Sequence, residues 1–276
     1  MKFKFLGTSA AEGFPAAFCD CEYCREARKR LGKSVRTRLQ SLINDDLLID
    51  FPADTYRHVL QNNLEFFKIK YLLITHSHLD HFCPEELNIR GYWFAPNLKE
   101  KITIVGSSDT YAKYAEFTET MQAPVREMID FKVLEPFEKI KLGAYEITAL
   151  PARHCQNKGF IYHIKAEGKN LLYAHDTGYF FDSVLEYINK NKTKFDFISF
   201  DCTDVELIIP DEGVHMGFEN ISRLKEVLKG YGSIDEKTVL YVNHFSHVAN
   251  PLHEELCEKA AKFDLRVPYD GMEIEI

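Results

Sequence analysis

The densest chemistry in the chain lies in YLLITHSHLDHF, where an apolar run gives way to His76, His78, Asp80 and His81. Side chains two apart on an extended chain point the same way, so His76 and His78 can grip one ion. The turn toward Pro84-Glu85-Glu86 lets Asp80 and His81 address a second. Imidazoles with carboxylates suit borderline-to-hard divalent cations. Four ligands do not close two coordination shells, so more are required. His154 after YEITALPA, Asp176 after NLLYAH and His244 after TVLYVN each follow an apolar run, at the strand ends where sheet proteins place their chemistry.

A second cluster, Cys19, Cys21 and Cys24, has Cys-x-Cys-x-x-Cys spacing in what reads as a turn-rich segment. Three thiolates there can wrap one tetrahedral ion, with no fourth ligand nearby. The other cysteines, Cys83, Cys155, Cys202 and Cys257, read as small buried hydrophobes. Arg36 and Arg38 in SVRTRLQS read as solvated surface charge, and Thr8, Ser9 and Glu12 as a polar turn or pocket lining. His58, His163, His175 and His253 fall inside regular patterns and read as structural.

These residues need elements to hold them. Runs rich in β-branched and aromatic residues predict strands at 2–6, 40–43, 47–50, 71–75, 102–105, 145–150, 160–165, 171–174, 196–200 and 239–242. Spacings of three and four predict helices at 55–60, 111–121, 184–189, 221–228 and 252–263. Asn44-Asp45-Asp46 and Glu167-Gly168-Lys169-Asn170 are tight-turn sequences between apolar runs. Strands and helices interleave irregularly with hairpins among them, which predicts a layered α/β sandwich with mixed sheets, not a barrel.

With 276 residues and 45% hydrophobic content, disorder, collagen and coiled coil are excluded. No linker divides the chain, so one domain spanning 1–276 is expected. Forty-two acids against 34 bases leave a charge of −8, which speaks against long nucleic-acid partners and for a small substrate. No apolar run is long enough for a membrane span, the first residues turn polar too soon for a leader, and seven cysteines are an odd number. A reduced, cytoplasmic protein is expected.

The order H-x-H-x-D-H, then His154, Asp176 and His244, resembles the metallo-β-lactamase fold hydrolases over nearly the full length. The resemblance implies a four-layer αββα sandwich. It also implies that His76, His78 and His154 hold one metal, that Asp80, His81 and His244 hold the other, and that Asp176 bridges. Two divalent ions carry four positive charges, of which Asp80, Asp176 and a bridging hydroxide remove three, so the site stays cationic and suits phosphate esters. The opening FLGTSAAEGFP, the cysteines after it and the later HFSH look like the PhnP group of cyclic phosphodiesterases. That likeness implies a structural zinc on Cys19, Cys21, Cys24 and His247, a general acid at His215 beside catalytic Asp80, and an orienting acid at Asp50. The expected activity is hydrolysis of a small, cyclic ribosyl or nucleotide phosphodiester with manganese or zinc, in a homodimer. An RNA-processing nuclease and an iron-dependent redox or coenzyme-biosynthesis protein are the alternatives on the same scaffold.

Overall fold

Short β-branched and aromatic runs build two mixed sheets in the computed structural model, which describes residues 1–91, 93–120, 123–154, 158–249 and 251–276. The first sheet takes β1 (Lys2–Gly7), β2 (Gln40–Ile43), β3 (Leu47–Ile49), β4 (Tyr71–Leu73), β5 (Ile102–Gly106) and β6 (Ile129–Val133). The second takes β7 (Lys139–Leu142), β8 (Tyr145–Pro151), β9 (Phe160–Ala166), β10 (Lys169–Ala174), β11 (Phe197–Asp201) and β12 (Val239–Asn243), and β13 (Glu273–Glu275) returns to the first. Strand orders are β13-β1-β2-β3-β4-β5-β6 and β12-β11-β10-β9-β8-β7. β3 to β6 run parallel, as do β10 to β12, and the hairpins β2–β3 and β9–β10 are antiparallel.

Period-two burial makes the layers. In β10, Leu171 and Tyr173 face the core between the sheets, while Leu172 and Ala174 face the outer core. That outer core is closed by α5 (Asp182–Lys190), α6 (Phe218–Gly230) and α7 (His253–Ala261) through Val184, Ile188, Ile221, Leu224 and Leu256. On the other side α2 (Thr55–Asn62), α3 (Ser108–Thr118) and α4 (Ala123–Arg126) lie after strands of the first sheet, whose outer core holds Leu72, Ile74, Ile104 and Tyr114. Each fully buried Leu or Phe contributes about 1.5–3 kcal/mol. The αββα sandwich with mixed sheets is the architecture expected from the sequence.

The differences are local. The expected cysteine turn is the start of a helix: α1 (Glu22–Arg30) has Cys21 as its N-cap, with Sγ accepting from Cys24 N. The strands β6, β7 and β13 were not anticipated, and all three are sheet edges. The helix predicted at 111–121 starts at Ser108 and ends at Thr118, and Met121 lies outside the described residues, as does Cys155. Pro84 opens a 3-10 turn, Pro84–Arg90. Among the described residues no helix is long and apolar enough to cross a membrane.

Candidate metal centre

Every expected ligand of the His/Asp centre lies in the segment just beyond the C-terminal end of a strand. His76, His78, Asp80 and His81 follow β4, His154 follows β8, Asp176 follows β10 and His244 follows β12. Asp176 has φ +53° and His244 +65°, left-handed values that cost a non-glycine residue about 1–2 kcal/mol. The turn swings both side chains back over the sheet end.

The chain brings the seven residues together as two groups of ligand atoms, each within 4.8 Å, that share Asp176: His76, His78 and His154 with it, and Asp80, His81 and His244 with it. Asp176 Oδ2 lies 3.0 Å from both His76 Nε2 and His81 Nε2, and Oδ1 lies 3.3 Å from His154 Nδ1. His76 Nε2 and His154 Nε2 approach His78 Nδ1 at 2.9 and 3.2 Å. His81 Nε2, His244 Nε2 and Asp176 Oδ1 are buried and make no hydrogen bond. Orphaned lone pairs converging from three strand ends fit divalent cations.

The other ring nitrogen is held in four of the five histidines, which fixes the tautomer a ligand needs. His76 Nδ1 is 3.1 Å from Thr75 Oγ1, and His154 Nδ1 is 3.4 Å from the Val214 carbonyl. His81 Nδ1 donates to Asp50 Oδ2 at 2.8 Å, and His244 Nδ1 meets Thr203 Oγ1 at 2.7 Å. Asp50 is fully buried and also accepts from Thr75 N and Oγ1, so it holds the outer nitrogen of His81, the position the resemblance implies for an orienting acid.

Electrostatics follow from this packing. Burial, with His81 nearby, pushes His76 down to about 3, so its lone pair is free. Burial also opposes charge on His81, but Asp80 and Asp50 outweigh it and hold His81 well above the usual value, so a cation must displace a proton there. Burial would raise Asp176, but His244 and His76 keep its carboxylate well below the usual range.

His215, in the loop between β11 and α6, joins the centre, with Nδ1 3.2 Å from Asp176 Oδ1 and 3.3 Å from Asp201 Oδ2. Burial lowers its pKa, but Asp201 more than offsets this and raises it to about 9. Asp201 was missed in the sequence. It is fully buried at the end of β11 and accepts from Asp176 N, Thr203 N and Met216 N. Its signal was there, an acid closing the apolar run FISF, like the ligands on the strands beside it.

The three cysteine sulfurs also group within 4.8 Å, without a nitrogen of His247. His247 Nδ1 lies 2.8 Å from Glu12 Oε1, which also accepts from His247 N and Ser246 Oγ. The turn carrying His247 packs on α1. Burial acts against ionisation of Cys21, but the Cys24 N–H and the neighbouring thiols lower its pKa, while burial pushes Cys24 up to about 12.

Of the other expectations, those for Arg36, Cys83 and Cys257 are corrected, while Cys202, His58 and His175 are internal as read. Arg36 is not surface charge: only 2% exposed, it donates to Thr8 Oγ1, Pro251 O and Pro268 O and faces His253 Nδ1. The carbonyls come from distant segments that close over it. Thr8 and Ser9 are buried, bonded to Asp270 and to the Phe245 carbonyl. Cys83 and Cys257 are half-buried; Cys202 is buried. His58 sits between Thr37 and Gln40, and His175 is buried beside Asp176.

A family model described as Anti-Pycsar protein Apyc1 matches residues 37–245. No curated protein matches in sequence. Among solved structures the chain is similar to a new diphosphatase from the PhnP family, with TM-score 0.76 and 17% identity over 100% of this chain and 97% of that one. It is similar to Zn(2+)-bound PqqB from Methylobacterium extorquens, with TM-score 0.78 and 15% identity over 100% of both. It is also similar to the metallo-beta-lactamase fold protein YhfI from Bacillus subtilis, with TM-score 0.71 and 17% identity over 100% and 99%. The fold is therefore that of the metallo-β-lactamases.

Proposed function

The chain belongs to the family described as Anti-Pycsar protein Apyc1, and on that footing we propose that it is a dinuclear-metal hydrolase opening a small cyclic phosphodiester of the ribosyl or nucleotide kind. The observation that carries this reading is the pair of ligand groups sharing the buried Asp176. His76, His78 and His154 would hold one ion, Asp80, His81 and His244 the other, and Asp176 both. Two such ions, manganese or zinc, supply Lewis-acid polarisation of a phosphoryl oxygen and a nucleophile from water at neutral pH.

The chain's own residues do the rest. Asp50, Thr75, Thr203 and the Val214 carbonyl hold the outer nitrogens and keep the inner ones pointed at the centre. Ring opening forms a P–O bond to the water oxygen and breaks the P–O bond to a sugar oxygen, whose alkoxide needs a proton. His215 carries one at neutral pH, because Asp201 faces its Nδ1 and leaves Nε2 to donate. Asp80, held ionised by His81, adds charge without competing for that proton. The net charge of −8 favours a small substrate over a long polynucleotide.

A structural zinc on Cys19, Cys21 and Cys24, with His247 Nε2 as fourth ligand, belongs to the same proposal. Glu12 at His247 Nδ1 sets the tautomer this requires.

Metal analysis of protein purified without added metal, followed by turnover of cyclic mononucleotides and of a bis-aryl phosphate, tests the reading. Two or more divalent ions per chain and metal-dependent ring opening are expected. Redox-active iron without hydrolysis would overturn it.

A further inference from the structure

One charged side chain outside the centre holds its most ligand-rich segment from behind. Lys113, on α3, points its ammonium at the loop after β4, and Nζ donates to the carbonyl of Ser77 at 2.8 Å and to that of Phe82 at 2.5 Å. Ser77 lies between His76 and His78 of the first ligand group, and Phe82 directly follows Asp80 and His81 of the second. A single cation thus spans both halves of the loop.

The rest of the loop shows why that grip matters. Between those carbonyls the chain folds on itself, with His81 N and Phe82 N both donating to His78 O, and it meets the first sheet where Phe51 N donates to His81 O. Past β4 the only sheet pairing of residues 76–83 is a single parallel bridge, in which Cys83 N also donates to Phe51 O, so residues 76–80 have no ladder of their own. Main-chain bonds shape the loop, and Lys113 ties together carbonyls near its two ends. On α3 the neighbours Thr110 and Tyr114 are buried, so the helix cannot turn without losing its own packing, which makes it a rigid base. The ammonium also lies over the Phe82 ring, with Nζ 5.9 Å from its centroid.

We propose that Lys113 is a positioning residue that fixes the spacing between the His76/His78 and Asp80/His81 halves of the loop, and so sets the affinity with which the chain takes up its two ions. This rests on the metal reading given above. Outer partners of metal ligands typically change affinity by about 10- to 100-fold when removed, and Lys113 acts one bond further out but on four ligands at once. Lys113→Met keeps an unbranched side chain and removes every donor.

The test is a cobalt(II) titration of the metal-free protein against a competing chelator, read by visible absorption, which separates imidazole and carboxylate sites from thiolate-bound cobalt. Lys113→Met should bind at least one of the two ions about 10-fold more weakly, with the melting temperature of the metal-free protein close to wild type. Lys113→Arg, which keeps donors toward both carbonyls, should recover part of the loss and serves as the comparison if the Met variant does not fold. Wild-type affinity in Lys113→Met would overturn the proposal. So would equal weakening in the Met and Arg variants accompanied by an equal fall in metal-free stability, the pattern of a merely structural lysine. A wild-type protein that takes up no pair of ions would instead overturn the reading of the site, leaving the two failures distinct.

Discussion

Replacing Asp201 by Asn should move the basic limb of the pH–rate profile down by about two units. The side chain keeps its shape, and Oδ1 can still accept from Thr203 N and Met216 N, but the negative charge facing His215 Nδ1 at 3.3 Å is gone, and so is the Oδ2 acceptor of Asp176 N. That charge is the largest influence raising His215 to about 9, against burial, which lowers it. The sign follows: a raised pKa keeps the proton on His215 up to that pH, and the proton is lost as pH rises through it. A group at about 9 is about nine-tenths protonated at pH 8, whereas one at the unperturbed value of about 6.5 is about 3% protonated. Turnover of an ester with a poor leaving group should therefore fall about 30-fold further at pH 8 than at pH 5.5, on top of any pH-independent loss from the missing bond to Asp176 N. Cations beside Asp176 lower the limb in both proteins, so the comparison is between samples loaded with the same metal. The assay is kcat/KM for a cyclic mononucleotide across that pH range, with an activated aryl ester as control. Profiles that stay parallel, with one loss at every pH, would refute the proton chain and leave Asp201 a packing residue.

His215→Ala should slow esters with poor leaving groups by about 100-fold or more and activated aryl esters far less; equal slowing of both would remove the donor role. Cys21→Ser should empty the thiolate cluster and also lower the metal content of the His/Asp centre, since the turn bearing His247 leads from His244 and packs on α1; full occupancy by elemental analysis would contradict that coupling. Arg36→Met should cost about 3 kcal/mol or more, because it strips partners from two buried carbonyls and from Thr8, and thermal unfolding should show a fall in Tm of at least about 6 °C. Saturating divalent metal at about 100 times Kd should stabilise the chain by about 2.7 kcal/mol, reversed by chelator; an unmoved Tm would argue against both ligand groups.

The seven proposed ligands could be picked out because local chemistry and local structure coincide: His154, Asp176 and His244 each follow an apolar run that is a strand, and His76, His78, Asp80 and His81 crowd into the loop after another. Where local sequence and distant packing part company, legibility failed. Arg36 sits in a polar stretch, and nothing near it shows that the Pro251 and Pro268 carbonyls will close over its guanidinium. α1 was hidden because it buries only Cys24 and Ala27 among nine residues, too little for an apolar stripe. The missed strands β6, β7 and β13 are sheet edges with one face toward water, so their Lys, Glu and Asp residues blur the alternation on which a strand is recognised. Asp201 was lost for a different reason. A single acid at a strand end looks like a turn residue until the histidines it faces are in place.

Those histidines reveal how the two sheets build one site from matching parts. On the first sheet Asp50 follows β3, and Thr75 Oγ1 bonds to it while meeting Nδ1 of His76 and His81 at 3.1 and 3.2 Å. On the second, Asp201 ends β11, and Thr203 Oγ1 bonds to it while meeting Nδ1 of His215 and His244 at 3.3 and 2.7 Å. Each sheet thus ends in a buried carboxylate and a threonine hydroxyl that steer a pair of imidazoles. On the first sheet both imidazoles are candidate ligands; on the second one is, and the other is the proposed proton donor. Asp50 shares the left-handed conformation of Asp176 and His244, with φ +64°. Glycine would relieve the strain at any of the three, but it has no side chain to place. The strain therefore persists where a carboxylate or imidazole must turn back over the sheet end, and hydrogen bonds such as Asp176 N to Asp201 Oδ2 at 2.9 Å hold it there.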